Sequence, residues 1–81
     1  MALAMTLRDT FARNVRHWRH ARGMSQETLA YEAEISRSYL YELERGKYPA
    51  NLDFIERIAK VLAIEPAQLL ERAGKGRATR S

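Results

Sequence analysis

The stretch from Ser25 to Gly46, SQETLAYEAEISRSYLYELERG, contains two short helical patterns separated by a few residues. Ser25 and Ser36 are of a type preferred at helix N-termini, because the hydroxyl accepts a hydrogen bond from a backbone N–H of the first turn. Apolar residues recur at helical spacing behind each serine: Leu29, Ala30 and Ala33 after the first, and Leu40 and Leu43 after the second. The stretch therefore predicts two short helices joined by a tight turn.

The second of these helices has a polar stripe opposite its apolar residues, formed by Arg37, Ser38, Tyr41 and Glu42. Two short helices in this arrangement are typical of a helix-turn-helix, whose second helix enters the major groove of DNA. Arginine can bind guanine bidentately, glutamate can accept a hydrogen bond from cytosine, and tyrosine or serine can contact a thymine methyl group or a phosphate. We therefore expect a helix-turn-helix over about residues 25–45, with these four side chains reading bases. For an isolated helix, a solvated polar face is the alternative interpretation.

The rest of the chain also has helical periodicity and no cluster of β-branched residues, which predicts an all-α fold. A first helix is expected over about residues 7–22, a fourth from Asn51 to about Leu62, and a fifth from Pro66 to about Arg72. The predicted inner faces comprise Leu7, Phe11, Val15 and Trp18 in the first helix, and Leu52, Ile55, Ile58, Ala59 and Leu62 in the fourth. We thus expect one five-helix domain over residues 7–72, after an N-terminal extension (1–6) and before a flexible basic tail (73–81).

Composition limits the classes of function that 81 residues can serve. The length suits a single domain with a modest core and leaves no room for a separate catalytic or effector-binding domain. The absence of cysteine excludes a disulfide framework and a thiolate metal site. No apolar run approaches the roughly 20 residues of a membrane span, and the start, MALAM, lacks the basic region of a secretory signal. We expect a soluble, cytoplasmic protein with no membrane partner and no cofactor.

The net charge of +4 is unevenly distributed along the chain. Residues 1–23 carry five arginines against one aspartate, and residues 72–81 carry three arginines and one lysine, so each end has a net charge of +4. Residues 24–45, with two arginines against five glutamates, have a net charge of −3. A basic protein favours a phosphate backbone as its partner, but here the segment that contains the predicted helix-turn-helix is itself acidic.

The helix-turn-helix stretch resembles the signature of the XRE family of Cro/repressor-type regulators, which have a lambda-repressor-like fold. The matching positions are Ser25-Gln26-Glu27, Leu29-Ala30, Ser36, Leu40, Leu43, Glu44-Arg45-Gly46, Leu52, Ile58-Ala59 and Leu62. Within that family the pattern Arg37-Ser38-Tyr39-Leu40 followed by Glu44-Arg45-Gly46 is most similar to controller proteins of restriction–modification systems. The resemblance covers roughly residues 11–70 and implies a sequence-specific transcriptional regulator that binds double-stranded DNA.

The resemblance also implies roles for individual residues. Arg37, Ser38 and Glu42 match base-reading positions, with Tyr41 adjacent, and Gln26, Lys47 and Tyr48 match positions that contact phosphates. Tyr39 could serve either a phosphate contact or packing. Arg19 and Glu44 match a structural pair that bridges the first and third helices. Relatives usually have glycine where this chain has Glu34 and Ala63, so either these turns are strained or the backbone follows another path.

A homodimer is expected because an apolar surface remains on the fourth and fifth helices, formed by Phe54, Val61, Leu69 and Leu70. Two copies would match the two half-sites of a pseudo-palindromic operator, about 34 Å apart. Bound protein would then occlude or assist RNA polymerase. The alternative interpretation is that these apolar side chains only cover an edge of the core.

Two other classes of function, an antitoxin and an enzyme, and a metal site are the competing interpretations. An antitoxin that masks a toxin and represses its own operon would have the same DNA-binding half, and Met1 to Met5 is its weak candidate for an additional apolar segment. An enzyme is not expected, since no nucleophile–base pair, phosphate-cradling loop or convergent carboxylate set is recognisable. His17 and His20 have a spacing that can support a metal, but no third ligand follows, so we predict no metal site.

Overall fold

The computed structural model describes residues 6–72, and these form four α-helices and one short 3₁₀ helix. The helices are α1 (Leu7–Ala21), α2 (Gln26–Ala33), α3 (Arg37–Glu44) and α4 (Leu52–Leu62), followed by the 3₁₀ helix Pro66–Leu69. No strand occurs among the described residues, in agreement with the predicted all-α class. The antitoxin candidate segment Met1 to Met5 and the predicted basic tail lie outside these residues.

A side-chain cap begins each of the four α-helices. The hydroxyls of Ser25 and Ser36 accept hydrogen bonds from the backbone N–H groups of Thr28 and Tyr39, both at 3.0 Å. The Thr6 hydroxyl caps α1 and the Asn51 side-chain oxygen caps α4 in the same way. Because such a cap satisfies an N–H group that has no partner within the helix, the sequence locates these helix starts well.

The predicted fifth α-helix is wrong, because the chain makes only the single 3₁₀ turn from Pro66 to Leu69. The Asn14 side-chain amide of α1 donates to the carbonyl oxygens of Leu69 at 2.8 Å and Glu71 at 2.9 Å. In a helix ending near Arg72 these carbonyl groups would lie in the last turn and have no partner within the helix, so the Asn14 amide acts as a cap for this end of the chain segment. The structure therefore has four α-helices rather than five, and the turn is tied to α1.

The core lies between the helices and contains the fully buried side chains of Val15, Leu29, Leu40, Leu43, Ile58, Leu62 and Leu69. Helix α2 packs on α3 and α4, while α1 packs on α3 and on the 3₁₀ helix. Leu7 and Leu52, which the sequence places in the core, are instead 50% and 78% exposed. Each is the first residue of its helix, and the first buried residues come later, at Thr10 and Phe11 in α1 and at Ile58 in α4.

Between residues 6 and 72, two residues other than glycine occupy the left-handed region, and both end a helix. Glu34 closes α2 and Ala63 closes α4, each with φ 60°. These are the positions where glycine was expected, so the backbone keeps the glycine-type path and takes up strain of about 1 kcal/mol or more at each site. The guanidinium of Arg57 donates to the Glu34 carbonyl oxygen at 3.1 Å and so stabilises the turn between α2 and α3.

Within residues 6–72, no helix has the length and apolar character needed to cross a membrane. The same part of the chain contains no group of three or more histidine, aspartate or glutamate side chains placed to hold a metal ion. His17 instead lies edge-on against Trp18, with the ring centroids 5.2 Å apart.

Candidate nucleic-acid interface

The outward face of α3 brings together the four residues predicted to read bases. Arg37, Ser38, Tyr41 and Glu42 line one open surface cavity of about 470 Å³, together with Gln26 from the start of α2. On the opposite side of α3, Leu40 and Leu43 are buried in the core, which fixes the rotation of the helix about its axis. The arrangement presents a hydrogen-bonding surface carried by a packed helix.

Behind this face, Arg19 of α1 and Glu44 of α3 form a buried ion pair. Arg19 Nε donates to Glu44 Oε2 at 2.7 Å, and Arg19 Nη2 donates to Glu44 Oε1 at 3.0 Å. Arg19 Nη1 also donates to the carbonyl oxygen of Met24 at 2.9 Å, just before α2 begins. Arg16 donates to the backbone carbonyl of Glu44 as well. One set of contacts therefore fixes the end of α3 relative to α1 and to the entrance of α2.

Gln26 connects this buried pair to the exposed cavity. Its side-chain Nε2 donates to Glu44 Oε1 at 3.0 Å. An amide nitrogen has two hydrogens, so the second N–H of Gln26 and the free backbone N–H groups at the start of α2 can still donate to an anion. The predicted phosphate role is thus chemically compatible with the observed contact, and the orientation of the side chain depends on Glu44.

Tyr39 holds the loop that follows α3. Its hydroxyl donates to the Pro49 carbonyl oxygen at 2.7 Å, while its ring stacks on Tyr48 and lies edge-on to Phe54, with centroids 6.0 and 5.0 Å away. Burial raises the pKa of the Tyr39 phenol above its ordinary value of 10.0. The Tyr39 proton is thus engaged within the protein, although the hydroxyl oxygen can still accept a hydrogen bond. Lys47 and Tyr48 are exposed on the loop that Tyr39 anchors.

Sequence reasoning missed Arg45, the residue that closes α3. Its guanidinium carbon lies 5.4 Å from the centroid of the Tyr41 ring, and its Nη1 lies 4.0 Å from Glu42 Oε1. The available signal was the spacing, since residues three and four apart on a helix are surface neighbours. Arg45 thus contacts two of the four side chains expected to read DNA.

The apolar surface differs from the predicted one. Leu69 is fully buried within the protomer and is not available to a partner, which corrects its assignment to a dimer interface. Phe54, Val61 and Leu70 are partly buried against the core or its edge, and Arg57 covers the Phe54 ring at 5.3 Å. A small groove of about 190 Å³ is lined by Leu7, Arg8, Phe11, Pro49, Ala50, Ile55 and Leu70. Leu7 was missed because helical spacing alone assigned it to the core.

Comparison with known proteins identifies this arrangement. The helix-turn-helix domain family matches residues 10–73, which include all four α-helices except the first three residues of α1. The chain belongs to this family. Control protein C.BamHI of Bacillus amyloliquefaciens is 41% identical over 66 residues, covering 80% of this chain and 82% of the relative. This helix-turn-helix protein is therefore related to controller proteins, as the sequence pattern predicted.

Solved structures support the same relationship for the helix-turn-helix fold. The restriction–modification controller protein C.AhdI of Aeromonas hydrophila superposes with a TM-score of 0.74 at 40% identity, covering 76% of this chain and 94% of the other. The hypothetical transcription factor NHTF from Neisseria has a TM-score of 0.88 at 30% identity, covering 99% and 95% of the two chains. The predicted class, a helix-turn-helix transcriptional regulator, is confirmed by these relatives.

Proposed function

We propose that the protein binds a pseudo-palindromic operator as a homodimer and thereby regulates transcription, with α3 of each copy in the major groove. The observation that carries this proposal is the convergence of four hydrogen-bonding side chains on the exposed face of α3, in front of a buried ion pair that fixes the helix. Because the ion pair and the buried leucines fix α3, the helix itself needs little reordering when it binds.

The proposed readers have complementary chemistry. Arg37 is placed at the first position of α3, where a recognition helix approaches base edges, and it would bind guanine O6 and N7. Glu42 would accept a hydrogen bond from the cytosine N4 amine, and Ser38 and Tyr41 would contact a thymine methyl group or a phosphate. Each good bidentate contact contributes about 1–3 kcal/mol of discrimination against the wrong base.

Affinity for the DNA backbone would come from residues around α3 rather than from α3 itself. Gln26 lies at the start of α2, where the helix dipole and free N–H groups favour an anion. Lys47 and Tyr48 follow α3 on the loop, and Tyr39 supports that loop from beneath. This division is consistent with the acidic balance of residues 24–45, because phosphate contacts need positive charge whereas base contacts need matched donors and acceptors.

The proposed dimer interface is centred on the apolar groove beside α1 and α4. Leu7 and Leu70 line this groove, and Leu52 lies one turn before Ile55 on α4. Exposing Leu7 and Leu52 to water is unfavourable, and a second copy would cover them. A two-fold dimer would place two α3 helices on half-sites about 34 Å apart. Bound at a promoter, it would either occlude RNA polymerase or assist its binding.

Selection of bound sites from random double-stranded DNA tests the function directly. At moderate salt we expect one enriched motif with inverted repeats, containing a G·C pair within each half-site. Recovery of DNA without any enriched motif would show that binding is non-specific. Sedimentation at tens of micromolar protein tests the assembly, and a purely monomeric species there would contradict the proposed dimer.

A further inference from the structure

Arg45 lies beside two of the proposed base-reading residues, Tyr41 and Glu42. It is the C-cap residue of α3, and its side chain is about half exposed, at 49%. Its guanidinium lies over the Tyr41 ring at 5.4 Å from the centroid and 4.0 Å from the Glu42 carboxylate. The same cation therefore contacts an aromatic face and a carboxylate, and both of these side chains line the cavity on the outward face of α3.

Glu42 presents an electrostatic difficulty for a DNA-reading surface. Its carboxylate is negative, it lies in a region of net charge −3, and the phosphates that flank a major groove repel it. A glutamate can accept from cytosine only if it is directed at the base edge and if its charge is offset nearby. Within residues 6–72, Glu42 forms an ion pair with Arg45.

Tyr41 has a related difficulty, because the residue is 47% exposed and an exposed side chain can adopt several rotamers. A guanidinium over the ring face is attracted by the negative charge density of that face, which limits the orientations of the phenol. Arg45 thereby restrains Tyr41 and Glu42 together. Arginine suits this task because its planar group can contact an aromatic face and hydrogen-bond a carboxylate at once.

We propose that Arg45 is a positioning residue that sets base specificity by orienting Glu42 and Tyr41 and by offsetting the Glu42 charge as α3 enters the groove. This inference rests on the proposed function of α3. It differs from a phosphate contact, which would add affinity for every DNA sequence equally. It also differs from an ordinary exposed ion pair, whose loss would change little.

The test is a double-mutant cycle on operator discrimination. Wild type, Arg45→Gln, Glu42→Gln and the double variant are titrated with the selected operator and with operators changed at single base pairs, at several salt concentrations. Arg45→Gln should reduce discrimination about tenfold at the base pairs that Glu42→Gln also affects, within the range of one good base contact. In the Glu42→Gln background, Arg45→Gln should have little further effect at the pair that Glu42 reads.

Lys47→Gln is the matched control, because it also removes one exposed positive charge near the DNA. We expect this variant to weaken binding to all DNA sequences alike. The slope of log affinity against log salt concentration should also become smaller by about 1. If Arg45→Gln instead behaves as Lys47→Gln does, in both backgrounds, Arg45 is a phosphate contact and the inference is wrong. Unchanged discrimination in Arg45→Gln also overturns it.

The outcomes separate this inference from the function on which it rests. If the wild type selects no operator, the proposed function fails and the inference fails with it. If the wild type discriminates and Arg37→Ala loses discrimination while Arg45→Gln retains it, only the inference is overturned. Thermal unfolding of each variant, followed by circular dichroism, verifies that the protein remains folded, which is expected since Arg45 is exposed.

Discussion

Arg19 and Glu44 join α1 to α3 through two hydrogen bonds of 2.7 and 3.0 Å, and the Glu44 side chain is only 3% exposed. The same carboxylate accepts a third bond, from Gln26 at the start of α2. One buried acid thus sets the relative positions of all three helices that form or support the DNA-binding face. Stability and DNA binding are coupled at this residue.

Glu44→Gln should destabilise the fold by about 3–5 kcal/mol, because it leaves the Arg19 charge buried without its partner. Urea unfolding followed by circular dichroism measures the loss. The matched control is Arg45→Gln, which removes a charge from the neighbouring exposed position and should cost about 1 kcal/mol or less. A loss below about 1 kcal/mol for Glu44→Gln would show that the pair does not stabilise the fold.

Glycine at the two left-handed helix ends should stabilise the protein. Ala63→Gly and Glu34→Gly each remove strain at φ 60°, and we expect a gain of about 0.5–1 kcal/mol after the entropy cost of glycine is included. Ala21→Gly, at the end of α1 and without positive φ, should lower stability by up to about 1 kcal/mol. A loss of stability in Ala63→Gly comparable to that in Ala21→Gly contradicts the strain argument.

Tyr39→Phe should lower the free energy of unfolding by about 0.5–1.5 kcal/mol near neutral pH, since it removes the hydrogen bond to Pro49 and retains the ring. The raised pKa of Tyr39 predicts a pH dependence with a definite sign. The folded state favours the neutral phenol, so this contribution is complete below about pH 10, the unfolded pKa, and is lost as pH rises through the folded pKa.

Urea unfolding of the wild type and Tyr39→Phe at neutral pH and above pH 10 measures that dependence. The difference in stability between the two proteins should shrink at the higher pH. Absorbance of the phenolate should also reveal one tyrosine with a midpoint above 10 in the wild type that is absent in Tyr39→Phe. A difference in stability that stays constant with pH would contradict the assignment.

Leu7→Glu and Leu52→Glu should weaken dimerisation at least tenfold without unfolding the protomer. Both side chains are well exposed, and each is the first residue of its helix, where a negative charge interacts favourably with the helix dipole. Sedimentation equilibrium measures the effect. Tyr31→Glu is the control, since Tyr31 is exposed on α2 and does not line the groove. Dimerisation that persists in both leucine variants would place the interface elsewhere.

Local signals in the sequence predict much of this fold. Ser25, Ser36 and Asn51 mark the starts of α2, α3 and α4, because capping depends on residues only three positions apart. The polar face of α3 is equally readable, since burying Leu40 and Leu43 leaves one surface free. These features require no knowledge of distant contacts.

The errors arise where distant contacts decide the structure. The fifth α-helix is replaced by a 3₁₀ turn, and Asn14, 55 residues before Leu69, holds the end of that turn by donating to the Leu69 carbonyl oxygen. Leu7 and Leu52 have the spacing of core residues, but periodicity does not tell where along its length a helix enters the core. Arg45 was missed as a neighbour of the readers because it was assigned only to a family motif.

The most direct test of the central claim, that α3 reads base edges, compares Arg37→Ala with Lys47→Ala. Fluorescence anisotropy at fixed moderate salt gives the ratio of affinities for the selected operator and for a scrambled duplex. Arg37→Ala should lower this ratio about tenfold, within the 1–3 kcal/mol of a good base contact, whereas Lys47→Ala should weaken both duplexes and leave the ratio unchanged. An unchanged ratio in folded Arg37→Ala would contradict sequence readout through this helix.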